Sequence, residues 1–245
     1  MKNQYVGDIG DYGKMGLLRI LQTAGFRAGV NWYLTPDDNS KDGRHIHYLD
    51  KPCDTPDIGL YRALYQLVKT GCRDISGLES PELLPDAVFY NDVLDYAQTN
   101  QPQERKAIRA QWNESAQKRL NECEIVFLDP DNGLEVSSTK PYDTKGNKYV
   151  TYQEAAQYYA EGKSVLIYNH RDRSTEEKYI DRFRRFYSIS ATKDAYLLCL
   201  TFRRVSVRDY VLLSQTEHLN KIKTAMDYLF GSPWVNYFAY RAVNQ

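Results

Sequence analysis

Asp129-Pro130-Asp131-Asn132-Gly133 follows directly on the apolar run Ile125-Val126-Phe127-Leu128. Four apolar residues in a row suit a strand covered on both faces, and the five that follow make a tight turn at its carboxyl end. In open α/β sheets, ligands bind at that end of the strands. Asp, Pro, Asn and Gly are also ordinary turn formers, so a bare strand-ending turn is the competing reading. Carboxylates set against a buried strand carry a desolvation cost that a bare turn avoids, and this favours a functional role for Asp129, Pro130, Asp131 and Asn132.

Other residues that could do chemistry lie at similar places. Asp11 and Lys14 stand in the first turns of an amphipathic helix, where an acid is also favoured by the helix dipole alone. Asp37 and Asp38 follow Pro36 after a strand-like run, and Tyr168-Asn169-His170-Arg171 closes a second buried strand, making Tyr168, His170 and Arg171 candidates for substrate contact. His45 and His47 alternate on one face of an extended segment. With no His/Cys cluster at ligand spacing, they define no metal site. Arg182, Arg184 and Arg185, and the run Arg203-Arg204-Val205-Ser206-Val207-Arg208, read first as solvated faces and second as a strip for phosphates.

The elements that must position these residues alternate in type. Asp11–Leu21 is a helix with Met15, Leu18 and Leu21 on one face, stopped by Gly25, and Gly29–Thr35 is the first strand. Asn39–Arg44 is a polar loop and His45–Leu49 a short extended piece. Pro56–Thr70 is a helix with Ile58, Leu60, Leu64, Leu67 and Val68 as its stripe and Thr55 or Asp57 as its cap. Arg73–Glu79 and Ala87–Tyr90 are short strands, and Gln101–Glu122 is a helix with the seam Ile108, Trp112, Ala116, Leu120. After the acidic turn comes a polar loop, Ser137–Lys148, of a length that is usually functional or mobile. Thr151 and Glu154 form a capping box for the helix Thr151–Ala160, which Gly162 closes. Ser164–Tyr168 is a buried strand, and Ser174–Glu177 starts a helix with Tyr179, Ile180, Phe183 and Phe186 inside. Ala195–Val205 and Asp209–Ser214 are joined closely enough to form an antiparallel hairpin. Leu219–Leu229 is the last helix. The order predicts one α/β domain over residues 1–245: a mostly parallel Rossmann-like sheet with helices on both faces and a C-terminal antiparallel hairpin.

Bulk properties narrow the function classes. Lysine plus arginine equals aspartate plus glutamate, 32 against 32, which argues against coating nucleic acid by net charge alone. No stretch approaches the roughly 18 apolar residues that span a bilayer, and the first residues lack a signal-peptide run, so we expect a cytoplasmic protein without membrane contact. Cys53, Cys72, Cys123 and Cys199 lie far apart and read as free thiols. The 21 tyrosines suit half-buried packing and would also serve a base-stacking surface.

A Rossmann-like sheet ending in a hairpin resembles the S-adenosylmethionine-dependent methyltransferases. Leu128-Asp129-Pro130-Asp131-Asn132 is similar to the Asp/Asn-Pro-Pro-Tyr/Phe motif of the adenine-N6 branch, and Gly7-Asp8-Ile9-Gly10-Asp11-Tyr12-Gly13-Lys14 is similar to the leading segment of ribosomal-RNA adenine methyltransferases. The resemblance implies that Asp129 accepts a hydrogen bond from an exocyclic amine and that Pro130 turns the backbone toward it, on a flipped base. Asp131 and Asn132 replace the second proline and the aromatic, leaving Tyr142, Tyr149 or Tyr168 to stack on the base. It further implies S-adenosylmethionine as cofactor, held by Asp11 and Lys14 and by Asp37 and Asp38 in place of the usual glycine-rich turn. Glu79 at the end of the second strand would hold its ribose.

Methyl transfer to a nucleobase amine or similar small acceptor is therefore the first expectation. The alternatives are a Mg²⁺-dependent nuclease or phosphohydrolase, using Asp129, Asp131 and Glu135 with Lys140 or Lys148 on the phosphate, and a non-catalytic binding protein of the same fold. The absence of the glycine-rich turn favours the last.

Overall fold

The computed structural model describes residues 1–38, 43–50 and 55–243. In chain order the first half holds α1 (Ile9–Thr23), β1 (Ala28–Asn31), α2 (Ile58–Lys69), α3 (Ile75–Leu78), β2 (Val88–Tyr90), α4 (Pro102–Arg119) and β3 (Ile125–Leu128). The second half holds β4 (Gly133–Leu134), β5 (Tyr149–Val150), α5 (Tyr152–Ala160), β6 (Ser164–His170), α6 (Glu176–Arg184), β7 (Tyr196–Arg204), β8 (Ser206–Ser214), α7 (Leu219–Gly231) and β9 (Phe238–Ala242).

Among the described residues seven strands form one sheet in the order β2-β1-β3-β6-β8-β7-β9. β2, β1, β3 and β6 are parallel, while β8 is antiparallel to β6 and β7, and β9 to β7. The fold is thus α/β with a parallel core and a C-terminal antiparallel hairpin, extended by β9. From β1 the chain passes to β2 on one side and then to β3 on the other, so the topological switch point lies between β1 and β3.

Strand periodicity divides the core into two layers. Ile125 and Phe127 join α1, α2 and α7 on one face of the sheet, and Val126 and Leu128 join α4, α5 and α6 on the other. All four side chains are fully buried, and each such burial stabilises the fold by roughly 1.5–3 kcal/mol.

Local chemistry sets the helix ends. Asp8 caps α1 by accepting from the Gly10 and Asp11 amides, and Asp57 caps α2 through the Leu60 amide. The capping box of α5 is present, with Thr151 and Glu154 bonding each other's backbone. Glu154 also receives a two-pronged contact from Arg109 of α4, at 2.6 and 2.7 Å. The same guanidinium donates to the Gly146 and Tyr149 carbonyls at 2.9 and 2.7 Å, which ties the polar loop to two helices.

Several elements differ from the sequence expectation. Arg73–Glu79 is not a strand: Asp74 caps the single turn α3, which buries Ile75 and Leu78 at three-residue spacing. Glu79 therefore ends a helical turn and does not close the second strand. β1 stops at Asn31, because Tyr33 takes a left-handed backbone (φ 45°). His47–Asp50 is a 3-10 turn, where an extended piece was expected. Ile58, assigned to the buried stripe of α2, is 46% exposed. Cys53 and most of the Asn39–Arg44 loop lie outside the described residues. Cys72, Cys123 and Cys199 are free thiols. Among the described residues no helix is long and apolar enough to cross a membrane.

Candidate functional site

The acidic turn after β3 is fixed by its neighbours. Gly133 takes a left-handed backbone (φ 102°), and a Cβ there would stand 2.2 Å from the Asn169 Oδ1, so only glycine fits. The Asn169 amide oxygen accepts from the Leu134 amide at 2.9 Å, the Asn132 amide donates to the Lys148 carbonyl at 2.9 Å, and the His170 amide donates to the Asn132 carbonyl. These bonds hold the ends of β3 and β6 side by side.

α1 supplies the other wall of a cleft of about 610 Å³ at this end of the sheet. Asp8, Asp11, Lys14, Asp129, Pro130, Asp131, Asn132, Tyr168, His170 and Arg208 line it, with Arg44 and His45 at the rim. Lys14 is the centre of its floor. Its Nζ lies 2.6 Å from Asp129 Oδ2 and 3.0 Å from Asp11 Oδ1, and the Trp32 and Tyr168 rings stand 5.8 and 5.9 Å away. Burial alone would lower the Lys14 pKa, but Asp129 and Asp11 outweigh it and hold the ammonium well above its ordinary value. Burial pushes both Asp11 and Asp129 up, although the ammonium opposes it. Two carboxylates share one cation, so the floor is acidic and rich in acceptors.

The walls carry the complementary charge. Arg208 reaches Asp8 at 3.6 Å, and its guanidinium lies against Gly10, where a Cβ would come within 3.0 Å. Burial and the nearby Arg208 lower the pKa of His170. Burial also pushes Tyr168 up to about 12, so its hydroxyl stays protonated. The buried Tyr210 hydroxyl, on which Lys14 and Arg208 both bear, has no hydrogen-bond partner among the described residues and leaves a donor free beneath the cleft.

Not every predicted site residue comes to this cleft. Asp11, Lys14, Asp129, Pro130, Asp131, Asn132, Tyr168 and His170 line it; Asp37, Asp38, Glu79 and Arg171 do not. Asp38 pairs with Lys2, and Asp37 accepts from the Gln4 amide at 3.3 Å. Glu79 accepts from Trp32 Nε1 and from Asn91 Nδ2, each at 3.0 Å. Arg171 turns to the other face of the sheet, where it pairs with Glu176, lies 3.7 Å from Asp209 and covers the Tyr179 ring.

The acids proposed for a metal also part company. Asp129 goes to Lys14 and Asp131 to the Met1 nitrogen at 2.7 Å, while Glu135 accepts from the Tyr152 amide at 2.8 Å. Among the described residues no group of three His, Cys, Asp or Glu is placed to hold a metal ion.

The switch-point crevice between β1 and β3 is filled by the chain itself. The Met1 nitrogen donates to the Tyr33 and Asp129 carbonyls at 3.1 and 3.0 Å, and the Met1 carbonyl accepts from the Thr35 amide at 2.9 Å. This plug was not readable in the sequence, being a backbone contact, and Arg208 stood in a run that reads first as solvated and only second as a strip for phosphates. Gly10 at the start of α1 was the available signal for a close approach. Compared with known protein families, curated proteins and solved structures, the chain matches none.

Proposed function

We propose that the chain binds a nucleotide unit, free or within a nucleic acid, in the cleft between α1 and the carboxyl ends of β3 and β6. The observation that carries this reading is the buried Asp11–Lys14–Asp129 group at the cleft floor, with His170 and Arg208 in the walls and Arg44 at the rim. Carboxylate oxygens accept from the exocyclic amine of a base, and Tyr168 offers a ring face beside them. Arginine and histidine in the walls and at the rim suit phosphate oxygens.

Part of the set expected to hold S-adenosylmethionine is engaged within the chain, although Asp11 and Lys14 line the cleft. The cofactor's usual place at the switch point is taken up by Met1, and Glu79 is committed to Trp32 and Asn91. Asp37 and Asp38 are engaged by Gln4 and Lys2. Methyl transfer is the second reading, favoured by the strand order and by Asp129-Pro130 at the end of β3.

Isothermal titration tests both. Adenosine or cytidine monophosphate is expected to bind, with affinity lowered about tenfold or more in His170→Ala and in Asp129→Asn, a loss of about 1.4 kcal/mol or more. Circular dichroism checks that the variants remain folded. Absence of heat with nucleotides up to millimolar concentration would overturn the proposal, and micromolar binding of S-adenosylmethionine would install the second reading.

A further inference from the structure

The tip of the β7–β8 hairpin separates the cleft from a second concavity on the opposite face of the sheet, of about 340 Å³. Ser206 lines both. Arg203 at the end of β7, Arg171 just past β6 and Arg241 of β9 converge on the second one. Glu176 serves both Arg171 and Arg241, and Arg203 makes no ion pair among the described residues. The remaining carboxylate nearby, Asp209, is fully buried and bonded to Thr201. Burial, with Arg171 adding to it, presses Arg241 below its ordinary pKa, although Glu176 pairs with it.

The tip itself is unusual. Val205 stands alone between the paired residues Arg204 and Ser206, with a left-handed backbone (φ 61°), and is 72% exposed. A β-branched residue is disfavoured in that region. Val207, opposite Arg203, is 42% exposed. On the cleft side, Arg204 lies over the Tyr237 ring at 4.1 Å and Arg208 enters the cleft. An apolar point flanked by arginines on both faces thus joins the two concavities.

We propose that this hairpin tip is a saddle for single-stranded nucleic acid, with backbone phosphates on the Arg171–Arg203–Arg241 face and one nucleotide passing over Val205 into the cleft. The proposal rests on the nucleotide reading of the cleft and adds the polymer and its path. A phosphodiester chain supplies regularly spaced anions to a face short of them, whereas the net charge of zero gives no general attraction for polyanions. A base must be unstacked and unpaired to enter a cleft of this size, which selects a single strand over a duplex.

The test measures fluorescence anisotropy on the full chain with labelled single-stranded DNA and RNA of about 12 nucleotides, within the usual range of site sizes. The single strand is expected to bind about tenfold or more tighter than a mononucleotide and tighter than a duplex of equal length. Arg203→Ala should weaken it about five- to tenfold at about 0.1 M salt, and lower the slope of log affinity against log salt by about 0.7. Arg203→Glu should weaken it further, with mononucleotide binding unchanged in both variants. Binding of either sugar type with this dependence supports the saddle, and the tighter of the two identifies the polymer. Unchanged affinity and slope in both variants would overturn it, as would equal competition by an acidic peptide or by anionic lipid vesicles. If single strands bind through Arg203 while mononucleotides do not bind at all, the phosphate face stands, and the cleft reading falls together with the path into it.

Discussion

Lys14 holds together two carboxylates, one from its own helix and one from the end of β3. Removing its charge leaves Asp11 and Asp129 buried without their ion-pair partner. Lys14→Met is expected to cost about 3–5 kcal/mol in urea unfolding; a change under about 1 kcal/mol would show that the pair is not buried as described. Asp131 and Asp129 should respond to acid in opposite ways. Burial would raise Asp131, but the Met1 nitrogen, Lys2 and Lys148 hold it below its ordinary value. Its contribution to stability is therefore present above the unfolded value of about 3.9 and lost as pH falls through its lower folded value. Asp129, raised by burial, contributes at low pH and loses that contribution as pH rises through its folded value. Asp131→Asn should thus flatten the acid limb of a stability-against-pH curve. His170 has a lowered pKa, so it is neutral at pH 7 and gains its proton only below about 6.5. Binding of a dinucleotide, whose phosphodiester charge is fixed in that range, should tighten as the pH drops below this value. His170→Ala should remove that part of the response in titration calorimetry.

At the scale of elements, α1 explains how the cleft is positioned. Gly10, Gly13 and Gly16 recur every third residue along it, against Arg208, Phe202 and Trp234. A Cβ would meet the Phe202 ring at 2.6 Å from Gly13 and the Trp234 ring at 2.2 Å from Gly16. Gly16→Ala is expected to destabilise by about 1–3 kcal/mol through overpacking, against the gain of up to about 1 kcal/mol that alanine brings to a helix. Gly231→Ala, at the end of α7 with nothing within 4 Å, should show that gain alone. Thermal melts of the two variants should shift in opposite directions. The parts of the fold readable in the sequence are those with strong local signals. The apolar runs of β3 and β6, the Thr151–Glu154 box and the β7–β8 hairpin announce themselves by composition and spacing. Ile75 and Leu78 fit one helical turn as well as a strand, and only the Asp74 cap decides between them. A glycine in a helical pattern reads as a weakness, so the stripe in α1 carries no local message about its partners. The place of Asp129 directly after a buried strand was readable from the apolar run before it. Its bond to Lys14 spans 115 residues and has no sequence signature.

For the whole molecule, β3 belongs to both core layers, since its side chains alternate between them. The layers should therefore unfold together. Trp32 and Trp234 lie in one layer and Trp112 in the other. Tryptophan fluorescence of Trp112→Phe reports the first layer alone, and that of the Trp32→Phe/Trp234→Phe double variant the second. In each variant the fluorescence midpoint should coincide with its own far-ultraviolet circular dichroism, and two separated transitions would reveal independent halves. The Arg109–Glu154 contact has a consequence for time. Arg109 holds the Pro141 and Gly146 carbonyls of the 137–148 loop, and its partner Glu154 caps α5, so the loop cannot lift without releasing a helix end. Lys145 sits exposed on that loop, an inviting site for trypsin, yet cutting there requires the chain to open around the scissile bond. Its nicking should keep pace with unfolding of the whole protein. Arg109→Met should uncouple the two clocks, so that the loop is cut while the sheet remains intact.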